Sequence, residues 1–230
     1  MTDKVFLITG ASSGIGEATA RLAAEAGYRL VLAARSEDKL QALVVSLGGR
    51  DRALPIRCDV TEREDQERMT KEALEHFGQI DVVFANAGIG STPGGFSGAD
   101  PEHWRNMILT NVYGVGLTLQ ATLAELRASK GHLVLTGSAA GRRTLPGSMY
   151  SATKWAVSAI GYGVREELRG SGVRVTLLEP GMVDTPFFDE PKPEALKADD
   201  IARAVMYAVA QPHHVDMHEM LIFPTPRSND

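Results

Sequence analysis

Short apolar runs recur along the chain, and between them lie longer segments in which apolar residues return every three or four positions. The short runs, rich in Val, Ile and Leu, read as buried strands, and the 3.6-residue period between them reads as amphipathic helix. Strands are expected at 5–8, 28–34, 53–58, 80–85, 132–136, 174–178 and 219–223. Helices are expected at 17–26, from a Ser36 cap to Gly48-Gly49, and at 62–77, 101–129, 148–169 and 199–210. Glu37 and Asp38 sit where a helix start favours acids, and Gly78 stands where a helix stops. The stretches 88–98, 137–147 and 180–197 break the period and read as loops. Strands alternating with helices need a helical crossover to return the chain, which gives a parallel sheet covered on both faces. The expectation is a single α/β domain over residues 1–230, doubly wound on about seven strands.

In such a sheet, ligands bind at the carboxyl ends of the strands. The first of these ends carries Thr9-Gly10-Ala11-Ser12-Ser13-Gly14-Ile15-Gly16. Its glycines permit a sharp turn and a close anion, and the helix N-terminus behind it offers free N–H groups to a pyrophosphate. The Gly-x3-Gly-x-Gly spacing differs from the commoner Gly-x-Gly-x-x-Gly, and a ligand-free βα turn is the bland alternative. Asn86-Ala87-Gly88 ends the fourth strand, Ser138 follows the fifth and Pro180-Gly181 the sixth. Tyr150 and Lys154 are four apart and share one helix face. An ammonium beside a phenol favours the phenolate, so Tyr150 is a candidate proton donor, with Ser138 placed to hold a carbonyl oxygen. An ordinary helix contact is the competing reading of the Tyr–Lys pair alone.

Composition narrows the classes. Hydrophobic residues at 43% and charged residues at 23% are those of a globular protein, and a formal charge of -5 argues against nucleic acid as a partner. No apolar run is expected to span a bilayer and the chain opens directly on a strand, so a cytoplasmic protein without membrane partner is expected. The single cysteine, Cys58, reads as a small buried side chain. The tail histidines lack an acid or thiol partner at a ligand spacing, so no metal is expected.

The set Thr9 to Gly16, Asn86-Ala87-Gly88, Asn111, Ser138, Tyr150-Ser-Ala-Thr-Lys154 and Pro180-Gly181 resembles the short-chain dehydrogenase/reductase family over nearly the whole chain. The resemblance implies a Rossmann-like fold and an oxidoreductase in which Tyr150 is the acid-base, Ser138 orients the substrate oxygen and Lys154 bonds the nicotinamide ribose. It implies that Asn111 distorts its helix and holds a water that relays protons from Lys154. The cofactor would lie on Gly10, Ser12, Ser13, Gly14, Ile15 and Gly16. Asp59 would accept from the adenine amino group, Asn86 would sit by the adenosine ribose and Thr185 would touch the carboxamide. Val60, Ala87, Gly88, Pro180, Gly181 and Val183 would also bind the cofactor. Helix entry for Asp59 and a simple turn for Thr185 are the plain alternatives.

The second strand ends in Ala33-Ala34-Arg35, without the acid that would bond a ribose 2′-hydroxyl. Arg35 suits a 2′-phosphate, so NADP(H) is expected over NAD(H), although Glu37 stands nearby and Ser13 occupies the place where the family often carries a second base. The expected reaction is hydride transfer between nicotinamide and a small-molecule carbonyl or secondary alcohol. The segment 186–193 is short for a lid, and adjacent Arg142 and Arg143 read either as a carboxylate subsite or as solvated charge. The tail resembles a branch that includes NADP-dependent 3-hydroxy acid and serine dehydrogenases. A non-catalytic NADP-binding regulator and an epimerase or dehydratase are the rival classes; the first needs no Asn-Ser-Tyr-Lys set, and the second usually has a longer chain. Leu117, Leu119, Trp155 and Val157 suggest a second buried face, hence a homo-oligomer, dimer or tetramer.

Overall fold

The computed structural model describes residues 3–90, 94–188 and 190–225. Ser91, Thr92 and Pro93 of the 88–98 loop, and Asp189 of the 186–193 segment, lie outside them. Each apolar run forms a strand because successive side chains face opposite sides of the pleat and both sides find a core. The order is β1 (Val5–Thr9), α1 (Gly14–Glu25), β2 (Arg29–Ala34), α2 (Glu37–Ser46), β3 (Ala53–Arg57), α3 (Arg63–Phe77), β4 (Val82–Ala85) and the single turn α4 (Gly95–Gly98). There follow α5 (Pro101–Ile108), α6 (Gly114–Ser129), β5 (His132–Thr136), α7 (Met149–Glu167), β6 (Arg174–Pro180), β7 (Val183–Asp184), β8 (Leu196–Lys197), α8 (Ala198–Val209) and β9 (Glu219–Ile222).

Seven strands make one sheet in the order β3-β2-β1-β4-β5-β6-β9. All pairings are parallel. On one face Leu7, Val31, Ile56, Val83, Leu133 and Leu177 form a core with residues of α3, α6 and α7. On the other, Ile8, Leu32, Phe84, Val134 and Leu178 pack with residues of α1, α2 and α8. The doubly wound expectation holds. Strand order reverses between β1 and β4, so the turns that follow them flank the crevice where this architecture holds ligands.

Departures from the expected elements have local causes. The sixth strand continues through Glu179 to Pro180, because an arginine compensates the buried carboxylate. β7 and β8 form a two-residue parallel pair inside the stretch expected to be loop, and α4 makes one helical turn within 88–98. The long helix is interrupted by a π-helical turn, Leu109–Tyr113. That 29-residue stretch, Pro101–Ser129, is also long and apolar enough to cross a membrane, contrary to the expectation that no segment would be. Part of its apolar side is core, where α6 packs on α3 and β4. The expected second face is corrected too. Leu117, Leu119 and Val157 lie in this chain's own core, and only Trp155 of the four is exposed.

Candidate active site

The turn between β1 and α1 is shaped by close approach as much as by conformation. Gly10 and Gly14 have φ of +67° and +56°, the left-handed region that glycine enters without strain. A Cβ on Gly16 would lie 2.3 Å from the Gly10 carbonyl oxygen, and one on Gly10 would lie 2.9 Å from Ala87 Cα. Only bare backbone lets the turn fold against the end of β4. Ser13 is the extended N-cap of α1, yet its hydroxyl makes no capping bond, so the first amides of α1 remain free of side-chain partners. Ser12 lies half-buried before it, and Ile15 packs against the α1-side core. These features form a cradle for an anion: uncapped amides, a positive dipole end and no Cβ in the way.

The turns beside it are tied to it. Thr9 Oγ1 accepts from the amides of Asn86 (3.0 Å) and Ala87 (3.2 Å). The Asn86 side chain donates to Thr9 O (3.1 Å) and accepts from Thr136 Oγ1 (3.1 Å), so it joins β1, β4 and β5 and shapes the crevice through its neighbours. Gly88 stands where a Cβ would meet Asn111 Oδ1 at 3.2 Å. That oxygen accepts from Ile89 N at 2.9 Å, and Asn111 Nδ2 donates to Ile89 O (3.0 Å) and Thr153 Oγ1 (3.2 Å). Asn111 is fully buried inside the π turn, and its side chain links the β4 loop to α7. Asp59 lies at the entry to α3, where Oδ1 accepts from Thr61 N and Oγ1. Val60 packs on Gly114, which opens α6.

Ser138, Tyr150 and Lys154 come together at the carboxyl edge of β5. Ser138 precedes a 3-10 turn, Ala139–Gly141, where its hydroxyl accepts from Ala140 N (3.1 Å) and faces Pro180 O (3.4 Å). Ser151 Oγ donates to Ala140 O at 2.6 Å, and a Cβ on Gly141 would sit 2.7 Å from Lys154 O, so the serine turn lies flat on α7. The Ser138 hydroxyl lies close enough to the Tyr150 phenol to pull its pKa down. Lys154 Nζ donates to Thr136 O (2.8 Å) and lies 5.7 Å from the Tyr150 ring centroid. Burial lowers the Lys154 amine to about 8. It raises the Tyr150 phenol to about 12 against the opposing pull of Ser138, so the Lys154 contact does not by itself produce the expected easy phenolate.

The segment after β6 closes the crevice from above the cradle. Val183 is buried, and Thr185 packs on Gly14, where a Cβ would lie 3.2 Å from its own. Gly181 is backed by Phe223. Phe187, unmarked in the sequence, meets Tyr150 edge-on at 5.8 Å and presses on Gly90, where a Cβ would lie 2.9 Å away. Thr136 is likewise unmarked in the sequence; its strand-end hydroxyl and carbonyl become informative only once the strands are aligned. Arg35 is exposed at the end of β2 and makes no ion pair among the described residues; Glu37 is equally exposed in the first turn of α2. Arg142, in contrast, is taken: Nε donates to both oxygens of Glu179 (2.7 and 2.6 Å) and Nη2 pairs with Glu219 (2.7 Å). It is neither a solvated charge nor a free carboxylate binder. Among the described residues no cluster of His, Cys, Asp or Glu is arranged to hold a metal. A groove of about 530 Å³ lies by Arg165, Arg174 and His213, away from this chemistry.

Known proteins are similar to this chain over nearly its whole length. The sequence profile of short chain dehydrogenases matches residues 4–195. An uncharacterized oxidoreductase of Staphylococcus epidermidis is 40% identical over 229 residues, covering 96% of this chain and 97% of its own. An alcohol dehydrogenase from the archaeon Thermococcus sibiricus, solved with 5-hydroxy-NADP, superposes with a TM-score of 0.90 at 37% identity, covering 97% and 99% of the two chains. Serine dehydrogenase from Escherichia coli gives 0.88 at 31% identity, covering 96% and 97%. With a parallel sheet in this order, a glycine cradle at its switch point and a serine turn lying on the Tyr-Lys helix, the chain belongs to the short-chain dehydrogenase family of oxidoreductases.

Proposed function

We propose that the protein is an NADP(H)-dependent dehydrogenase/reductase that interconverts a carbonyl and a secondary alcohol, with Tyr150 as the general acid-base. The observation that carries the reading is the gathering of Ser138, Tyr150 and Lys154 at the same carboxyl edge of the sheet as the glycine turn with its uncapped α1 amides. Gly10, Ser12, Ser13, Gly14, Ile15 and Gly16 hold the phosphates through backbone amides, and Arg35 takes the 2′-phosphate. Asp59 and Val60 flank the adenine, Asn86, Ala87 and Gly88 line the ribose side, and Pro180, Gly181, Val183 and Thr185 face the nicotinamide. The cofactor, when bound, supplies or accepts the hydride.

The chain's own residues handle the oxygen and its proton. Ser138 donates to the substrate oxygen and holds it within reach of the Tyr150 hydroxyl, which gives or takes the proton. Lys154, held on Thr136 O, presents its ammonium to the ribose and to the phenol. Asn111 keeps the β4 loop and α7 in register and serves the relay that refills Tyr150. Phe187 covers the phenol from solvent. The protein is expected to act in the cytoplasm as a homo-oligomer on a small molecule, with neither nucleic acid nor membrane as partner.

The test follows absorbance of NADPH and of NADH separately across a carbonyl and alcohol panel. The expected result is turnover with NADPH preferred, and loss of turnover in Tyr150→Phe with NADPH affinity retained. A panel inert with both cofactors, or a Tyr150→Phe variant that still turns over, overturns the proposal.

A further inference from the structure

The two adjacent arginines after the serine turn have opposite fates. Arg142 faces inward and is consumed by two carboxylates, Glu179 and Glu219. Arg143 is exposed and has no ion-pair partner among the described residues. Its guanidinium carbon lies 4.6 Å from the centroid of the Phe223 ring. Stacking occupies one face of the guanidinium plane and leaves its in-plane N–H edge open, the edge that takes a carboxylate through two parallel hydrogen bonds. It also holds the head of a flexible side chain, so that less freedom is lost when a ligand docks.

The platform stands beside the reacting groups. Phe223 packs on Gly181, where a Cβ would lie 3.0 Å from its ring, and the Gly181 amide donates to Ile222 O at 2.7 Å. Gly181 follows Pro180, whose carbonyl faces the Ser138 hydroxyl. On the other side the Arg143 carbonyl accepts from Ser151 Oγ (3.4 Å), the neighbour of Tyr150. None of the nearby carboxylates pairs with Arg143 among the described residues: Arg142 bridges Glu179 and Glu219, Lys192 lies near Glu190 at 3.8 Å, and Lys154 is buried on a carbonyl. The cofactor phosphates have their own donors beyond β1, at the cradle and Arg35, on the far side of the switch point.

We propose that Arg143, stacked on Phe223, is a substrate-anion subsite, so that the preferred carbonyl or alcohol carries a carboxylate. The proposal rests on the oxidoreductase reading above and names the substrate class for that same site. It is tested with the full chain and NADPH on 2-, 3- and 4-oxo acids, each against its methyl ester. At least one acid is expected to exceed its ester in kcat/KM by about tenfold or more. In Arg143→Met that acid-to-ester ratio falls about ten- to a hundredfold, through KM for the acid, and Arg143→Lys recovers part of it. Circular dichroism matching the parent sequence separates this from misfolding. Esters used as well as every acid, or a ratio unmoved by Arg143→Met, overturn the anion subsite while the oxidoreductase reading stands. Inactivity of the parent protein toward all acids and esters with both cofactors, and toward neutral ketones and alcohols, defeats both.

Discussion

Burial decides the protonation of side chains that look alike in a sequence. His132, on β5, is nearly inaccessible; one ring nitrogen meets Thr176 Oγ1 at 2.8 Å and the other has no partner. Burial, aided by Arg174, holds its imidazole down at about 3. The unfolded chain binds a proton here below the ordinary 6.5, whereas the folded chain refuses it until about 3, so stability is full above 6.5 and is lost as pH falls through that window. The slope is ~1.4 kcal/mol per pH unit. Urea unfolding at pH 7.5 and 5.5 is expected to show a loss of about that size, and His132→Gln is expected to remove it. Equal pH dependence in the two proteins would sink the assignment. Arg35 belongs at the same scale. It is the exposed, unpaired cation at the end of β2, so Arg35→Ala should raise KM for NADPH about ten- to a hundredfold and leave NADH nearly unchanged. A parallel rise for both cofactors would show that it recognises no phosphate.

Glu179 shows what an element adds to its residues. Its carboxylate is buried at the end of β6 and is satisfied only from outside the strand, by Arg142 from the serine turn and Ser158 from α7 (3.0 Å). The pair therefore clasps three elements of the site. Arg142→Met leaves the buried carboxylate without its cation, held by Ser158 only, at a cost of about 3–5 kcal/mol. For a domain of this size, melting should fall by ~6–20 °C. Adding Glu179→Gln should return part of that loss, and a double variant as unstable as the single would argue that the guanidinium matters only for packing. The same clasp explains a limit of the sequence. Apolar runs mark β1 to β5 well because both faces of each strand are buried, but a charged residue followed by proline looks like a strand's end, so β6 reads two residues short. The cradle, Ser138, Tyr150 and Lys154 are legible because their spacing along the chain is fixed by single turns and helices. Phe187 over Tyr150, and the separate fates of Arg142 and Arg143, depend on contacts between distant segments, which no local period encodes.

At the scale of the molecule, the helices that position the site also carry apolar groups that the fold leaves outside. Ile108 ends α5, Tyr113 ends the π turn, and Trp155 follows Lys154 directly on α7; all three are exposed, Trp155 by 49%. α7 contacts both α5 and the π turn, so these side chains belong to adjoining helices. Large aromatics left in water at helix junctions are the groups that subunit interfaces enrich. A second copy of the chain is the expected occupant. Sedimentation should give a particle of twice or four times 24.7 kDa, and Trp155→Glu should shift it toward the single chain. Because the neighbouring residue on α7 is Lys154, dissociation should also loosen the site, lowering kcat more than it raises KM for the cofactor, whose cradle lies across the sheet on α1. Parent protein that sediments as a single chain at micromolar concentration would remove the interface, and a dissociated variant with undiminished kcat would show that α7 needs no partner to hold its catalytic face.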